Sequence, residues 1–599
     1  MKDFFKYVMA TVVGVIIVGI IGFVLLSLTV MGMLASDDSK VKAKDNSVFV
    51  LKMNGTVSER TEGGSPIDQI IGMANGEAMG LDDILKAIRL ARDEKNIKGI
   101  YIEGGTTIFD APATAQQVRD ALLDFKKSGK WVYAYADQMM QASYYVLSAA
   151  DSLFLNKTGM IDFKGLGGKH EYLAGLYEKL GIKYQVARVG KYKSYVESVT
   201  RKDMSAEDRE QHEAYLKGIW QLWTSQMGES RHVSAAQLDS LANDSIMMFA
   251  TTDDYLQAHL VDRVFYPEDM KKVVCHKLGL DDDEDINKLN LNDMLRLKPS
   301  EKVREKGGQV AVYYAYGEIV DEMASGFLSG HTIVGQQTAR DIQKLAADKD
   351  VKAVVLRVNS GGGSAIASEQ IWHAIQQLKA QKPVVVSMGG MAASGGYMIS
   401  CGANYIFAEP TTITGSIGVF GLVPNFSGLV TDKLGVTWDG VATNKYSDFE
   451  NNLIFGSENS DEMRFLQGYT DRGYENFLSI VGQGRGMTKD EVNEIAQGRV
   501  WLATDALGIK LVDELGSLDD AVKKAAELAK MDEYHATAYP EKAGWLDSFL
   551  SSQEEFSDSY LDSQLHKLLG DLYEPVMQLR LDQLRNRLQA RLPYDVSIQ

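Results

Sequence analysis

Residues 382–400 read KPVVVSMGGMAASGGYMIS, and residues 130–148 read KWVYAYADQMMQASYYVLS. The two runs align without a gap at an offset of 252 residues. Each opens on a β-rich, apolar stretch and passes through small or polar residues into a helix-like one. A second pair sits upstream of them. KNIKGIYI at 95–102 matches KDVKAVVL at 349–356. Repeats of this length indicate two copies of one domain, not a solenoid. Short β-rich runs alternating with amphipathic stretches predict an α/β fold with largely parallel strands.

The second copy carries the chemistry. Ser394 follows the strand-like Pro383–Ser387 and precedes a helix-like stretch from Gly395, among Gly389, Gly390, Ala392, Ala393, Gly395 and Gly396. A nucleophilic oxygen needs such clearance, and amides at a helix start can face developing negative charge. A Gly-rich packing turn has the same composition, so this window alone leaves both readings open. Upstream, Val354–Val358 leads into Asn359-Ser360-Gly361-Gly362-Gly363-Ser364 and then a helical pattern over 365–379, a second loop whose bare amides suit an anion. Downstream lies Thr414-Gly415-Ser416-Ile417-Gly418. In the first copy, Ser394 aligns with Ala142 beside Ser143, and Tyr144-Tyr145 replaces the glycine pair. Its loop, Glu103-Gly104-Gly105, lacks the Asn-Ser lead, so the first copy reads as unable to form a second active site.

With Val189-Gly190-Lys191-Tyr192-Lys193-Ser194 and the segment continuing to Ser205, these motifs resemble the signal peptide peptidase family of serine proteases, in its long, two-repeat, membrane-anchored form. The resemblance runs from the N-terminal apolar segment to about residue 530. One departure is Gly361, where the family usually has proline. The resemblance implies tandem ClpP/crotonase-like superhelical domains and a serine–lysine dyad. It makes Ser394 the nucleophile, Lys193 the general base and Ser416 the hydroxyl that orients the amine. Gly362 or Gly363, with Gly395, become the oxyanion donors. A lysine amine has a pKa near ~10.4 in water, so a base at neutral pH must be lowered by about three units, roughly 4 kcal/mol. Lys445, in Asn444-Lys445-Tyr446-Ser447, pairs with Lys193 at the same 252-residue offset and is the rival base. The long form's architecture further suggests that Lys193 comes from a neighbouring subunit.

The same resemblance implies a membrane-anchored endopeptidase that degrades cleaved signal peptides and other short, unfolded, apolar peptides. It implies a homotetramer on the outer, periplasmic side of the bacterial cytoplasmic membrane. A crotonase-like acyl-CoA enzyme and an inactive membrane peptide-binding scaffold are the alternatives. No charged residue occurs from Tyr7 to Ser36. At ~1.5 Å per residue about twenty residues span a ~30 Å hydrocarbon core, so 7–36 reads as an uncleaved transmembrane helix. Lys2 and Lys6 on one flank nearly balance Lys40, Lys42 and Lys44 on the other, so charge does not set the orientation.

The remaining sequence excludes more than it adds. The chain has 599 residues, 45% apolar and 24% charged, a composition that suits a large globular enzyme. A net charge of −18 argues against nucleic acid as a partner. No phosphate-binding G-x(4)-G-K-[ST] motif appears, so ATP is not implied. His170-Glu171 and His212-Glu213 lack the second histidine of a zinc-protease helix, and neither a metal nor a cofactor is expected. Two cysteines, Cys275 and Cys401, rule out a disulfide framework. Met388, Met391 and Met398 read mainly as core fillers and secondarily as an adaptable apolar pocket. The expected organisation is an anchor over 1–45, a first repeat over 46–280 and a linker over 281–308 that starts with an acidic run. A second repeat over 309–540 and a tail over 541–599 follow, the tail being amphipathic helix from Leu561 to Leu592, broken near Pro575.

Overall fold

The computed structural model describes residues 41–60, 78–244, 246–297, 307–322, 331–456, 460–542 and 589–591. The anchor read at 7–36 lies outside them. No helix among the described residues is long and apolar enough to cross a membrane.

The first repeat contains β1 (Ser47–Met53), β2 (Thr56–Ser58), β3 (Met79–Gly80), α1 (Leu81–Asp93), β4 (Ile97–Gly104), β5 (Ile108–Phe109), α2 (Pro112–Lys126), β6 (Trp131–Met139), α3 (Gln141–Leu147), β7 (Ser152–Ile161), β8 (Lys183–Arg188), α4 (Ala206–Arg231), β9 (Arg263–Phe265) and β10 (Lys288–Leu289). Its main sheet runs β10-β1-β4-β6-β7-β9, every pair parallel. Parallel strands covered on both faces need apolar side chains on both, hence near-continuous runs such as SVFVL in β1. Lys288–Leu289 joins this sheet and a helix follows at Leu291–Leu295. That part of the expected linker is therefore built into the first repeat, because Leu289 and Met294 are apolar enough to bury.

The second repeat contains β11 (Gly308–Tyr316), β12 (Glu318–Val320), β13 (Thr332–Val334), α5 (Gly335–Ala347), β14 (Val351–Ser360), β15 (Gly362–Ser364), α6 (Ala365–Lys379), β16 (Val384–Ala393), α7 (Gly395–Ser400), β17 (Tyr405–Ala408), β18 (Ile413–Gly415), β19 (Phe420–Asn425), α8 (Asp461–Arg485), β20 (Val500–Leu502), β21 (Glu514–Leu515), α9 (Leu518–Leu528), β22 (Tyr534–Tyr539) and β23 (Gln589–Arg591). Its main sheet runs β20-β18-β16-β14-β11-β22, with β17 beside β16 and β21 beside β17. Only the β18–β20 pair in it is antiparallel. The fold is α/β and the two repeats share the order strand, helix, strand.

The repeats differ where it matters. Along β14, Val358 faces Met388 but Ser360 faces Ala392, so β16 bulges by two residues around Gly389-Gly390. The offset between repeats therefore grows from 252 to 254 across that bulge. The residue preceding α7 is Ser394 and the residue preceding α3 is Met140. The gapless pairing of Ser394 with Ala142 is thus corrected: Met140 is the positional counterpart. Met140 has an ordinary extended backbone, φ −67° and ψ 152°, whereas Ser394 has φ +56° and ψ −117°. That conformation is costly for a side-chain-bearing residue and is held by its surroundings.

A third sheet, β13-β12-β15-β23-β19-β8, crosses between the repeats. β8 of the first repeat pairs antiparallel with β19 over six residue pairs, Lys183 to Arg188 against Asn425 to Phe420. Gln589–Arg591, within the tail expected to be helical, is a strand here, because it finds main-chain partners in β15 and β19. The rest of the expected tail helix lies outside the described residues. Ala393, Ile413, Val500 and Leu502 of the second repeat pack into the hydrophobic core of the first, so the residues flanking Ser394 are fixed by both repeats.

Candidate active site

Ser394 sits between the end of β16 and the start of α7. Its N–H donates to Gly415 O at 2.8 Å and its carbonyl accepts from Met398 N at 2.9 Å. The glycines around it are there for room. A Cβ at Gly396 would lie 2.4 Å from Ser360 O, and one at Gly390 would lie 2.2 Å from Ala111 Cβ.

Lys193 arrives from the first repeat, 201 positions earlier in sequence, in the loop between β8 and α4. Its side chain is wholly buried. Nζ stands 2.8 Å from Ser394 Oγ, 3.0 Å from Ser416 Oγ and 3.1 Å from Ser416 O. A neutral amine has two hydrogens to give and one lone pair. The two Ser416 oxygens accept the hydrogens, which leaves the lone pair for the Ser394 hydroxyl to donate to. Burial pushes the lysine well below its ordinary pKa, which favours this neutral form. The contact forms within one chain, in place of the suggested donation by a neighbouring subunit.

The lysine loop is clamped by groups that sequence reasoning missed. Tyr192 N–H donates to Gln497 O at 3.0 Å. Gln211 Nε2 donates to Tyr192 O at 3.3 Å and to Ser194 Oγ at 3.0 Å, while its Oε1 accepts from Val500 N at 3.1 Å. Ser194 Oγ donates to Asp208 Oδ1 at 2.5 Å. Gly498, at φ +81°, has room for no Cβ: one would lie 2.6 Å from Lys193 N and 2.7 Å from Lys193 Cβ. No local motif marks these residues; only the fold brings 208–211 and 497–500 to the lysine.

Ser416 has φ +48°, and its N–H donates to Arg499 O at 2.6 Å. Gly362 and Gly363 lie on β15 at φ +97° and +156°, and a Cβ at Gly363 would lie 2.0 Å from Ile319 O. The Gly362 N–H donates to Ser360 Oγ at 3.1 Å, a bond that an incoming oxyanion must replace or share. Gly395 is the first residue of α7 and is buried. Gly361, in the family's proline position, is not among the positive-φ glycines. Lys445 is exposed, its Nζ 2.6 Å from Asp461 Oδ2, which holds its pKa above the usual lysine range. Met388 and Met398 are core residues, and Met391 packs partly buried against the first repeat's core. Cys275 and Cys401 are buried free thiols, the latter pushed up to about 12 by burial.

The model of peptidase family S49 matches residues 124–281 and 376–532, once in each repeat. A Clp protease model matches residues 327–412. "Protease 4" of Salmonella typhi is 37% identical over 481 residues, covering 79% of this chain and 76% of that one. "Protease 4" of Haemophilus influenzae is 34% identical over 524 residues, covering 85% and 83%. "Serine protease SPPA, chloroplastic" of Arabidopsis thaliana is 28% identical over 499 residues, covering 82% and 70%.

Proposed function

The chain belongs to peptidase family S49 and is a serine protease, and on that premise we propose that it cleaves cleaved signal peptides and other short, unfolded, apolar peptides with a Ser394–Lys193 dyad. The observation that carries the dyad is the 2.8 Å contact between a wholly buried Lys193 Nζ and Ser394 Oγ.

The reaction follows from the geometry. As Ser394 Oγ bonds to the substrate carbonyl carbon, its proton passes to the Lys193 lone pair. The carbonyl π pair moves onto oxygen, where the N–H groups of Gly395 and of Gly362 or Gly363 receive it. An oxyanion donor of this kind is worth about 10²-fold or more in turnover. Collapse breaks the C–N bond, and the ammonium of Lys193 returns the proton to the leaving amine. Water then repeats the cycle on the acyl-serine, giving its proton to Lys193 and releasing the acid. Ser416 holds the amine through both steps with its carbonyl and hydroxyl. No carboxylate is needed, because desolvation alone lowers the lysine.

The wider reading keeps two ClpP/crotonase-like units, the first reaching through 288–295 of the expected 281–308 linker and the second over 309–540, with a tail over 541–599. An anchor over 7–36 would tether the chain to a membrane, and the family resemblance implies a homotetramer with its catalytic bulk on the outer face of the bacterial cytoplasmic membrane. The apolar, uncharged run at 7–36 supports the anchor.

A fluorophosphonate probe tests the assignment. Labelling at Ser394, lost in Ser394→Ala, is the expected result. A folded protein that stays unlabelled at Ser394 would favour an acyl-CoA enzyme or a peptide-holding scaffold on the same fold.

A further inference from the structure

Arg499 stands where the two parts that hold the Lys193 amine meet. It ends a three-residue seam of the second repeat that runs along the lysine loop of the first. Gln497 O accepts from Tyr192 N, a Cβ on Gly498 would strike Lys193 N, and Arg499 O accepts from Ser416 N. The main chain of Arg499 thus holds the turn whose Ser416 oxygens take the Lys193 hydrogens. Its side chain reaches the other way, to the first repeat.

The guanidinium lies between two rings, its Cζ 4.9 Å from the centroid of Tyr192 and 4.4 Å from that of Trp501 on β20. Nη1 donates to Tyr192 Oη at 3.2 Å and stands 2.9 Å from Glu210 Oε1 on α4. Tyr192 Oη in turn donates to Glu210 Oε2 at 3.1 Å, which closes a ring of three contacts. Trp501 is itself fixed, since its Nε1 donates to Ile495 O at 2.9 Å and it faces Thr414 in the β18–β20 pair.

Glu210 is 53% exposed, so the ion pair alone is worth little and is screened by salt. The stack is different. A planar guanidinium between two rings is a geometry that lysine cannot copy. Tyr192 is buried and its peptide bond leads directly into Lys193, so fixing the Tyr192 ring fixes the lysine backbone. The other charged groups at the loop are Arg188, whose Nη1 reaches Lys193 O at 3.5 Å, and Glu197, 3.9 Å from Arg188. Asp208, which accepts from Ser194, and Lys191, with Nζ 5.0 Å from the Tyr192 ring centroid, complete the set. Burial is what holds the Lys193 pKa down, so a loosening that lets water reach Nζ raises it.

We propose that Arg499 is a positioning residue of the peptidase reaction: its guanidinium, clasped between Tyr192 and Trp501, locks the Lys193 loop of the first repeat onto the Ser416 turn of the second and keeps the amine dry. The proposal rests on the Ser394–Lys193 dyad.

The test titrates the Lys193 amine directly, by carbon NMR of the full-length chain labelled at lysine Cε, with Lys193→Met identifying the signal. It is read in the Ser394→Ala background, so no hydrolysis is required. Arg499→Met should raise the titration midpoint by about one unit, and Arg499→Lys by most of that despite its charge. Tyr192→Phe, which keeps the ring, should raise it by less. Adding Tyr192→Phe to Arg499→Met should bring no further rise, because groups that act through one contact are not additive. With Ser394 restored, the acid limb of kcat/KM should move up with the midpoint, about tenfold in rate at a fixed pH on that limb, while KM stays put. Should Arg499→Met not fold, Arg499→Lys carries the same comparison. A Lys193 midpoint equal to the parent's in these variants, whatever thermal stability they lose, would overturn the proposal and leave Arg499 a structural residue. Fully additive shifts in the double variant would overturn it too, because Arg499 would then not act through Tyr192. A shifted midpoint with an unmoved acid limb would fault Lys193 as the base, and would leave the positioning of its amine by Arg499 supported.

Discussion

Arg357 forks onto Glu59 from the opposite repeat, Nε to Oε1 at 2.6 Å and Nη2 to Oε2 at 3.3 Å, with both side chains buried. Arg357 lies on β14, three residues before Ser360 and the glycine loop. Glu59 also accepts from Asn359 Nδ2 at 3.2 Å, and Asn359 Oδ1 accepts from Met391 N at 3.1 Å. The first repeat thus holds both β14 and β16 of the second, the strands that deliver the glycine loop and Ser394.

Glu59→Ala should therefore destabilise the whole chain. It leaves the Arg357 guanidinium buried with Ser387 and Gln117 as its hydrogen-bond partners. Breaking one side of a buried ion pair costs about 3–5 kcal/mol. Thermal or denaturant unfolding should show the loss, and a midpoint equal to wild type would mean that the pair contributes nothing.

Two carboxyl groups beside this pair set a pH dependence of stability. Burial raises Asp110 to about 7 and Glu409 to about 8. Both folded values lie above the unfolded ones, so the folded chain binds the extra protons. Stability from these groups is full below about pH 4 and falls as pH rises from there toward 7 and 8, at about 1.4 kcal/mol per pH unit for each group. Asp110→Asn should flatten the Asp110 part of that slope between pH 4 and 7. An equally steep profile in the variant would remove Asp110 from the account.

How much of this was readable beforehand follows from where the information sits. Ser394, Ser416 and the glycine loop stand in short local motifs, and Lys193 in a longer one, so the residues that meet were visible in one dimension. The two-residue bulge at Gly389-Gly390 was not, since a gapless alignment absorbs it silently and only the β14–β16 register exposes it. The strand at 589–591 was hidden for the opposite reason. Leucines and arginines at helical spacing favour a helix locally, and the partners that make it a strand lie more than 160 residues away at Phe420 and beyond. The lysine clamp at Gln211 and Gly498 has no motif at all.

Gly498→Ala should cost activity without unfolding the chain. The added methyl meets the Lys193 backbone at 2.6 Å, and the residue must hold φ +81°. A shift of about 1 Å in a catalytic group can cost about 10²-fold. The measurement is kcat on a peptide substrate beside circular dichroism. Full kcat would show that the clamp does not position the amine.

Ser416→Ala removes one of the amine's acceptors and keeps the other, because the main-chain oxygen at 3.1 Å remains. The expected loss is partial, on the order of tenfold in kcat, in keeping with one hydrogen bond of about 1.4 kcal/mol. A loss as deep as that of Ser394→Ala would give Ser416 a larger role than orientation.

The identity of the base is decided by comparing two lysines. Lys193 is buried against Ser394, while Lys445 is exposed and paired with Asp461. Lys193→Met should abolish hydrolysis, and Lys445→Met should spare it. The folded pKa of Lys193 is depressed, so protonation at low pH removes the lone pair that takes the serine proton. Wild-type kcat/KM should accordingly fall as pH drops through a value well below the ordinary lysine pKa of ~10.4. The same depression means that the unfolded chain holds a proton the folded chain lacks between the folded pKa and ~10.4, so the stability contributed by this site rises with pH across that window. Lys193→Met, with no charge to desolvate, should unfold no more easily than wild type and should lose that part of the slope. Because the 2.8 Å contact forms within one chain, mixing Ser394→Ala with Lys193→Met chains during refolding should restore no activity. Recovery on mixing would mean that the working pair forms between chains, and loss in Lys445→Met with retention in Lys193→Met would reverse the assignment.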